Sequence, residues 1–336
     1  MSFSLPAADA SVARFESIQS IPPATPSDNT PVRLLWGRDP YLRSRLLSAI
    51  AGEAANRRRA VSSVYDPLLS DRLVALSVEG MGHFTLDSRA LNGTEELIDC
   101  NLPLSQDGAS ALIEAEELTE RRRAVASEIG SIGRAIADNK RLLATVAEKI
   151  ADYHALRSRA ERIARRIPRG DGEEVTLPIA CRGEDGKTVL RLPFSSDTRV
   201  IGLQGIYRLD SLFLTALADA VRERGCRRVI LTNALTDEVV GVRLPSCGLC
   251  YLADAPSDRR DRQLSLRRYL LPHTTEQRRA WRNLALAVGA LEGHLDRRLA
   301  EYRTIAKEEE ALRSSLYSES RLQSFRKRLL IDLFCS

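Results

Sequence analysis

The sequence predicts a mixed α/β fold assembled from two similar modules, each followed by a long helical extension. Three observations carry this prediction. A short apolar strand runs through a glycine into a helix between residues 32 and 55, and the same order returns near residue 199. Strand-like runs follow both helices, which is the pattern of a sheet covered by helices. Each half then closes in a long charged stretch with helical periodicity and few breakers. At 336 residues the chain is long enough for two modules with cores of their own.

In chain order, residues 1–31 are rich in Ser, Pro, Ala and Asp without a sustained period, and read as a mobile leader. Val32-Arg33-Leu34-Leu35-Trp36 is a strand ending at Gly37, and Leu42, Leu46, Leu47, Ile50 and Ala54 recur at helical spacing. Strand-like runs at 60–65, 73–78, 83–87 and 96–100 complete a first module over 32–108. From 109 to 167 the heptad series Leu118, Val125, Ile132, Asn139, Val146, Tyr153 and its companion Ile129, Ile136, Leu143, Ile150 predict one continuous helix, closed by Pro168. Residues 168–198 read as a linker with a hairpin around Glu184-Asp185-Gly186-Lys187.

The second module spans 199–268. Arg199-Val200-Ile201 enters Gly202, a helix is expected over 209–224, and strands are expected at 228–232, 239–244, 249–253 and 263–267. A C-terminal helical extension over 269–336 places Leu284, Val288, Leu291, Leu295, Leu299 and Tyr302 on one face. At an offset of 165, Gly37, Arg43, Leu47 and Ala51 meet Gly202, Arg208, Leu212 and Ala216, so the chain reads as an internal duplication. The two helical extensions are expected to pack antiparallel, on each other or on the sheets.

A strand that enters a glycine-containing turn and then a helix is the layout of a phosphate-gripping P-loop. Backbone N–H groups at the helix start cradle phosphate, and the helix dipole favours negative charge. A working loop reads G-x-x-x-x-G-K-[ST], with the Lys on the phosphates and the hydroxyl on Mg²⁺. The second module keeps Gly202 and Gly205, but Tyr207 stands at the last glycine, Arg208 at the lysine and Leu209 at the hydroxyl. In the first module Gly37 and Ser44 fit, Pro40 removes a backbone donor, Leu42 stands at the last glycine and Arg43 at the lysine.

Guanidinium pairs bidentately with phosphate, so Arg43 and Arg208 leave residual anion binding open; the plainer reading is that both solvate a helix start. The candidate nucleotide- or phosphate-binding residues are therefore Gly37, Arg43, Ser44, Gly202, Gly205 and Arg208. Asp87 and Asp254 end strand-like runs and are the candidate Mg²⁺ ligands, although an Asp past a strand is also a common turn residue. ATP with Mg²⁺ is the one cofactor the pattern implies. No catalytic residue is assigned: His83, His154, His273 and His294 do not cluster, and there is no Ser/His/Asp or Cys/His pattern.

Net charge is +5 with a pI near 9.0. Only five of the 50 basic residues are lysine, and 45 acidic residues nearly balance them. Runs such as Arg57-Arg58-Arg59 and Arg121-Arg122-Arg123 read as solvated faces, which argues against nucleic acid as the partner. Six scattered cysteines fit a reducing cytoplasm, and Cys247-x-x-Cys250 lacks the second pair or histidines of a zinc site. The sequence has no apolar run long enough to span a membrane and no basic, apolar leader, so a cytoplasmic protein is expected.

The layout resembles a duplicated P-loop ATPase-like, ATP-binding family of Clostridia and related bacteria. The resemblance covers most of 32–336. It rests on Gly37 to Ile50, Asp71 to Asn92 and Glu95-Glu96-Leu97-Ile98-Asp99 in the first half. In the second half it rests on Gly202 to Ala220, Asp237 to Pro256 and Arg326-Lys327-Arg328-Leu329-Leu330. It implies ATP binding at the loop glycines and Lys-Ser/Thr, of which Gly37, Ser44, Gly202 and Gly205 carry over. The departures fall on the functional positions. The expected function is thus a degenerate P-loop NTPase-like protein that does not hydrolyse ATP, binds nucleotide or phosphate at most, and acts as a regulatory or assembly partner. Its helices would meet a protein partner or a second copy. The alternatives are an active ATPase or phosphotransferase using Arg in place of the lysine, and a basic helical scaffold for nucleic acid.

Overall fold

The computed structural model describes residues 31–66, 68–69, 72–86, 96–105, 108–183, 188–190, 198–253, 255 and 260–335. Residues 1–30 of the expected leader, the expected hairpin tip at 184–187, and both Asp87 and Asp254 lie outside these residues. The chain divides into two compact units, 1–128 with 298–336 and 129–297.

The first unit begins with β1 (Val32–Trp36), whose Leu34 and Leu35 are buried. Helix α1 (Pro40–Asn56) follows after three residues, started by Pro40 and by the Asp39 N-cap. Then come β2 (Val61–Tyr65), β3 (Leu73–Val78), β4 (Gly82–Thr85) and β5 (Glu96–Asp99). They form one sheet of order β2-β3-β4-β1-β5, in which β2–β3–β4 is an antiparallel meander and β1 runs parallel to β4 and β5. Its core packs Leu42, Leu46, Leu47 and Ile50 of α1 against Leu35, Leu76 and Phe84 of the sheet.

Two long helices, α2 (Gly108–Ile150) and, later, α5 (Thr275–Ser315), each give part of their length to either unit. In the first unit, Thr119 and Arg122 of α2 meet Glu309 of α5, and Glu128 meets Arg298, so the two run antiparallel there. The terminal helix α6 (Glu319–Phe334) adds Leu322, Leu329 and Phe334 to the first core.

Of the heptad series predicted on α2, Val125, Ile129, Ile132, Ile136, Leu143 and Ile150 are buried, while Leu118, Asn139 and Val146 are half-buried. The helix is not continuous to 167, however. It stops at Ile150, Ala151 forms a bridge to Leu270, and Asp152 caps a second helix, α3 (Tyr153–Ala164), by accepting from the Ala155 N–H at 2.9 Å. An Asp at a site where its side chain can cap competes with helix continuation. The C-terminal extension is also interrupted, α5 ending at Ser315 and α6 starting after Ser318, whose side chain makes no cap bond.

The second unit holds a sheet of seven strands: β6 (Glu174–Arg182), β7 (Thr188–Leu190), β8 (Arg199–Gln204), β9 (Arg228–Asn233), β10 (Val239–Leu244), β11 (Leu249–Ala253) and β12 (Arg262–Ser265). Helix α4 (Leu209–Glu223) follows β8 and packs with α3 over the sheet. The order is β12-β8-β11-β10-β9-β6-β7. The segment read from sequence as a linker thus supplies β6, paired parallel to β9, and the predicted hairpin partner β7. Pro178 within it made a strand hard to recognise, and the pairing is indeed irregular between Pro178 and Ala180.

Five strands of this sheet repeat the first one. β9-β10-β11-β8-β12 has the order and the parallel or antiparallel sense of β2-β3-β4-β1-β5 at every step. The helices agree as well. Buried Leu42, Leu46, Leu47, Ala49, Ile50 and Ala54 of α1 have the spacing of buried Leu209, Phe213, Leu214, Ala216, Leu217 and Val221 of α4. Leu42 therefore corresponds to Leu209, not to Tyr207 as the sequence offset had it. Matching small residues such as Ala51 and Ala216 fixed the wrong step, because alanines recur on every face of these helices.

Candidate functional site

Both strand-to-helix turns lie where a nucleotide cradle would lie, between a strand with parallel neighbours on both sides and the helix that follows it. Their inner geometry decides what they can hold.

In the first turn the backbone donors of Arg38, Tyr41 and Arg43 have partners from the chain itself. The Arg38 N–H donates to Asn101 Oδ1 at 3.1 Å and the Tyr41 N–H to Asp39 Oδ1 at 2.9 Å. Pro40 has no N–H, and the Arg43 N–H donates to the Asp39 carbonyl. Asp39 is 4% exposed, so a carboxylate sits at the positive end of the α1 dipole, where a phosphate would sit. Burial raises the pKa of this carboxyl, against the pull of Arg313 and the Tyr41 N–H. The space left beside Asp39, Tyr41 and Tyr317 measures about 10 Å³, no more than one water needs.

The predicted residues of this turn serve the fold. Arg43 lies within α1 and its Nη1 donates to the carbonyls of Leu35 and Leu86, at 3.3 and 3.2 Å, bracing the helix to the sheet. Ser44 donates to the Leu73 carbonyl at 2.8 Å. Gly37 is needed because a Cβ there would meet the Cys100 backbone at 3.3 Å.

The second turn differs. Gly202 is a strand residue, paired with Leu252 and Gln263 inside the sheet, and does not belong to the loop. Gly205 opens the turn, and a Cβ there would stand 2.7 Å from the Asp210 nitrogen, so the turn folds directly onto the helix start. Tyr207 and Arg208 both adopt left-handed backbone, at φ 52° and 60°, a conformation suited to glycine. The Tyr207 ring packs edge-on against His273 and Trp281. Arg208 pairs with Glu238, which also meets Lys140 Nζ at 3.0 Å, and Lys140 reaches Glu292 at 3.1 Å. Arg208 is thus drawn into a charge network, and Asp210 keeps a carboxyl in the first turn of α4. Arg43 and Arg208 are not equivalent: one is inside its helix, the other is the N-cap of its own.

No protein-family model, curated protein or solved structure matches the chain. The site must therefore be judged on its own groups. In the first turn the Asp39 carboxylate caps the helix end at the Tyr41 N–H, the place a phosphate oxygen would take. Among the described residues no three His, Cys, Asp or Glu side chains gather where they could hold a metal. Cys247 and Cys250 are free; Cys250 is buried, and desolvation pushes its thiol up to about 12. No helix of the described residues is long and apolar enough to cross a membrane.

Sequence reasoning missed Asp39, Asn101 and Glu238, the groups that use up the turns. Asp39 had a signal: Asp-Pro at a helix start is a cap pattern. Glu238 had none, because only the fold brings it to Arg208.

Proposed function

We propose that the chain is a P-loop-like protein that does not hydrolyse nucleotide and acts as a regulatory or assembly partner built on two related α/β modules. The observation that carries this reading is the repeated five-strand order with a strand-to-helix turn at the same place in each sheet. The left-handed backbone at Tyr207 and Arg208 supports it, because these residues keep a conformation that glycine takes more readily. The loss of hydrolysis follows from the chemistry of the turns. In-line phosphoryl transfer depends on N–H groups, a lysine and a metal-holding hydroxyl aimed at the phosphates. In the first turn the Arg38 and Tyr41 N–H groups are engaged by Asn101 and Asp39, Arg43 is engaged by two carbonyls, and Ser44 faces the Leu73 carbonyl.

A chain that keeps the frame and fills the cradle works through its surfaces. Its longest ones are α2 and α5, charged helices that still expose Ile113, Leu142 and Leu286 to 62%, 54% and 67%.

Steady-state Mg-ATP turnover by the purified chain tests the proposal. The expected result is a rate no higher than buffer alone, unchanged in Arg43→Ala and Arg208→Ala. A measurable turnover that either substitution abolishes would establish the ATPase reading instead.

A further inference from the structure

A cleft in the second unit, away from both turns, has the make-up of an anion site. It measures about 530 Å³ and lies between α3 and the sheet. Arg159 and Arg162 reach it from α3, Arg166 from the turn after that helix, Arg199 from the first residue of β8 and Arg262 from the first residue of β12. β8, β11 and β12 are mutually parallel, so the arginines of the sheet stand at its amino edge, opposite the Gly205 turn at its carboxyl edge.

Several half-buried or buried arginines elsewhere are paired with acids: Arg122 with Glu309, Arg182 with Asp296, Arg208 with Glu238, Arg228 with Glu174. None of the five cleft arginines has a carboxylate partner among the described residues, and the Arg159 Nε is buried without a hydrogen bond. The one acid of the lining, Asp261, accepts from the Val200 N–H at 2.6 Å through Oδ2. Five arginines against one acid give the cleft a positive field that attracts an anion. The remaining wall is apolar, from Ile163, Ile201, Leu249, Leu264 and the ring of Tyr251. Its volume is that of a small-molecule site.

We propose that this cleft binds a small oligophosphate, either a nucleoside di- or triphosphate or a short inorganic chain, with the guanidinium groups on the phosphates. A nucleotide would lay its base and sugar on the apolar wall. The fork geometry of arginine suits phosphate oxygens, and several forks converging exceed what a single phosphate can use. This goes beyond the role proposed above and stands apart from it, since it requires neither Arg43 nor Arg208.

Titration calorimetry without Mg²⁺ at low salt, with tripolyphosphate and with ATP, tests the site. One-to-one saturable binding is expected, weakened roughly tenfold or more for each of Arg162→Ala and Arg166→Ala. Both arginines are exposed at the surface, so the variants keep the fold, which circular dichroism checks. Arg157→Ala on the same helix, already paired with Glu161 and Glu223, leaves binding unchanged. ATP binding more tightly than tripolyphosphate would identify nucleotide as the source of the phosphates; equal affinity would identify the inorganic chain. Absence of saturable binding, binding indifferent to the two substitutions, or binding only by oligonucleotides in proportion to their length would overturn the proposal.

Discussion

Glu309 shows how much a single buried charge does in this protein. Its side chain is fully buried and meets Arg122 Nε at 2.7 Å, Arg313 Nε at 2.8 Å and the Thr119 hydroxyl at 2.7 Å, while the Tyr41 hydroxyl donates to it at 3.1 Å. Burial alone would raise its pKa, but Arg122 foremost, with the hydrogen bonds of Thr119 and Arg313, holds it below the ordinary 4.5. A lowered carboxyl pKa adds stability above its unfolded value and loses it as pH falls through the folded one. Glu309→Gln leaves two buried guanidinium groups short of a partner, and should cost about 3–5 kcal/mol at neutral pH. Urea unfolding across the acid range should show the variant losing less stability than the parent below about pH 4.5. An unchanged midpoint at neutral pH would mean that the network is not closed as described.

At the scale of the element, the legible parts were those set by local chemistry. The strands at 32–36, 73–78, 239–244 and 249–253 and both module helices followed from apolar spacing and turn residues. The break at Asp152 and the strand at 174–182 did not, because one depends on a cap that competes with a long periodic helix and the other on pairing with β9. The two strand-to-helix turns were legible as positions in the fold. Gly37, Ser44, Gly202 and Gly205 each have a packing reason that no loop pattern announces. Gly205 offers the sharpest check. Gly205→Ala places a methyl 2.7 Å from the Asp210 nitrogen, so the α4 start must shift, with a loss of about 1–3 kcal/mol in urea unfolding. A loss below about half a kcal/mol would show the turn to be loose enough to reopen.

Over the whole molecule, two sheets share one five-strand order while their strand-to-helix turns are built differently. The first is closed by a capping carboxylate, the second by a glycine folded onto the helix and an arginine drawn to Glu238. Sequence comparison of the halves found the repetition yet misplaced its step, because the buried faces that set the true step are visible only in three dimensions. The composition bias toward arginine likewise hid a distinction: some arginines brace helices or pair with acids, as Arg43 and Arg122 do, whereas those of the α3 cleft gather around one cavity.

The central claim is that a capping carboxylate occupies the start of α1 and that Arg208 is held by Glu238 rather than free for a phosphate at the start of α4. A crystal grown with Mg²⁺ and a non-hydrolysable ATP analogue examines this directly. The account predicts Asp39 still on the Tyr41 N–H, Arg208 still on Glu238, and no triphosphate at the start of either α1 or α4. A triphosphate seated on the N–H groups of residues 37–44 or 205–210, with Arg43 or Arg208 swung onto it, would contradict it.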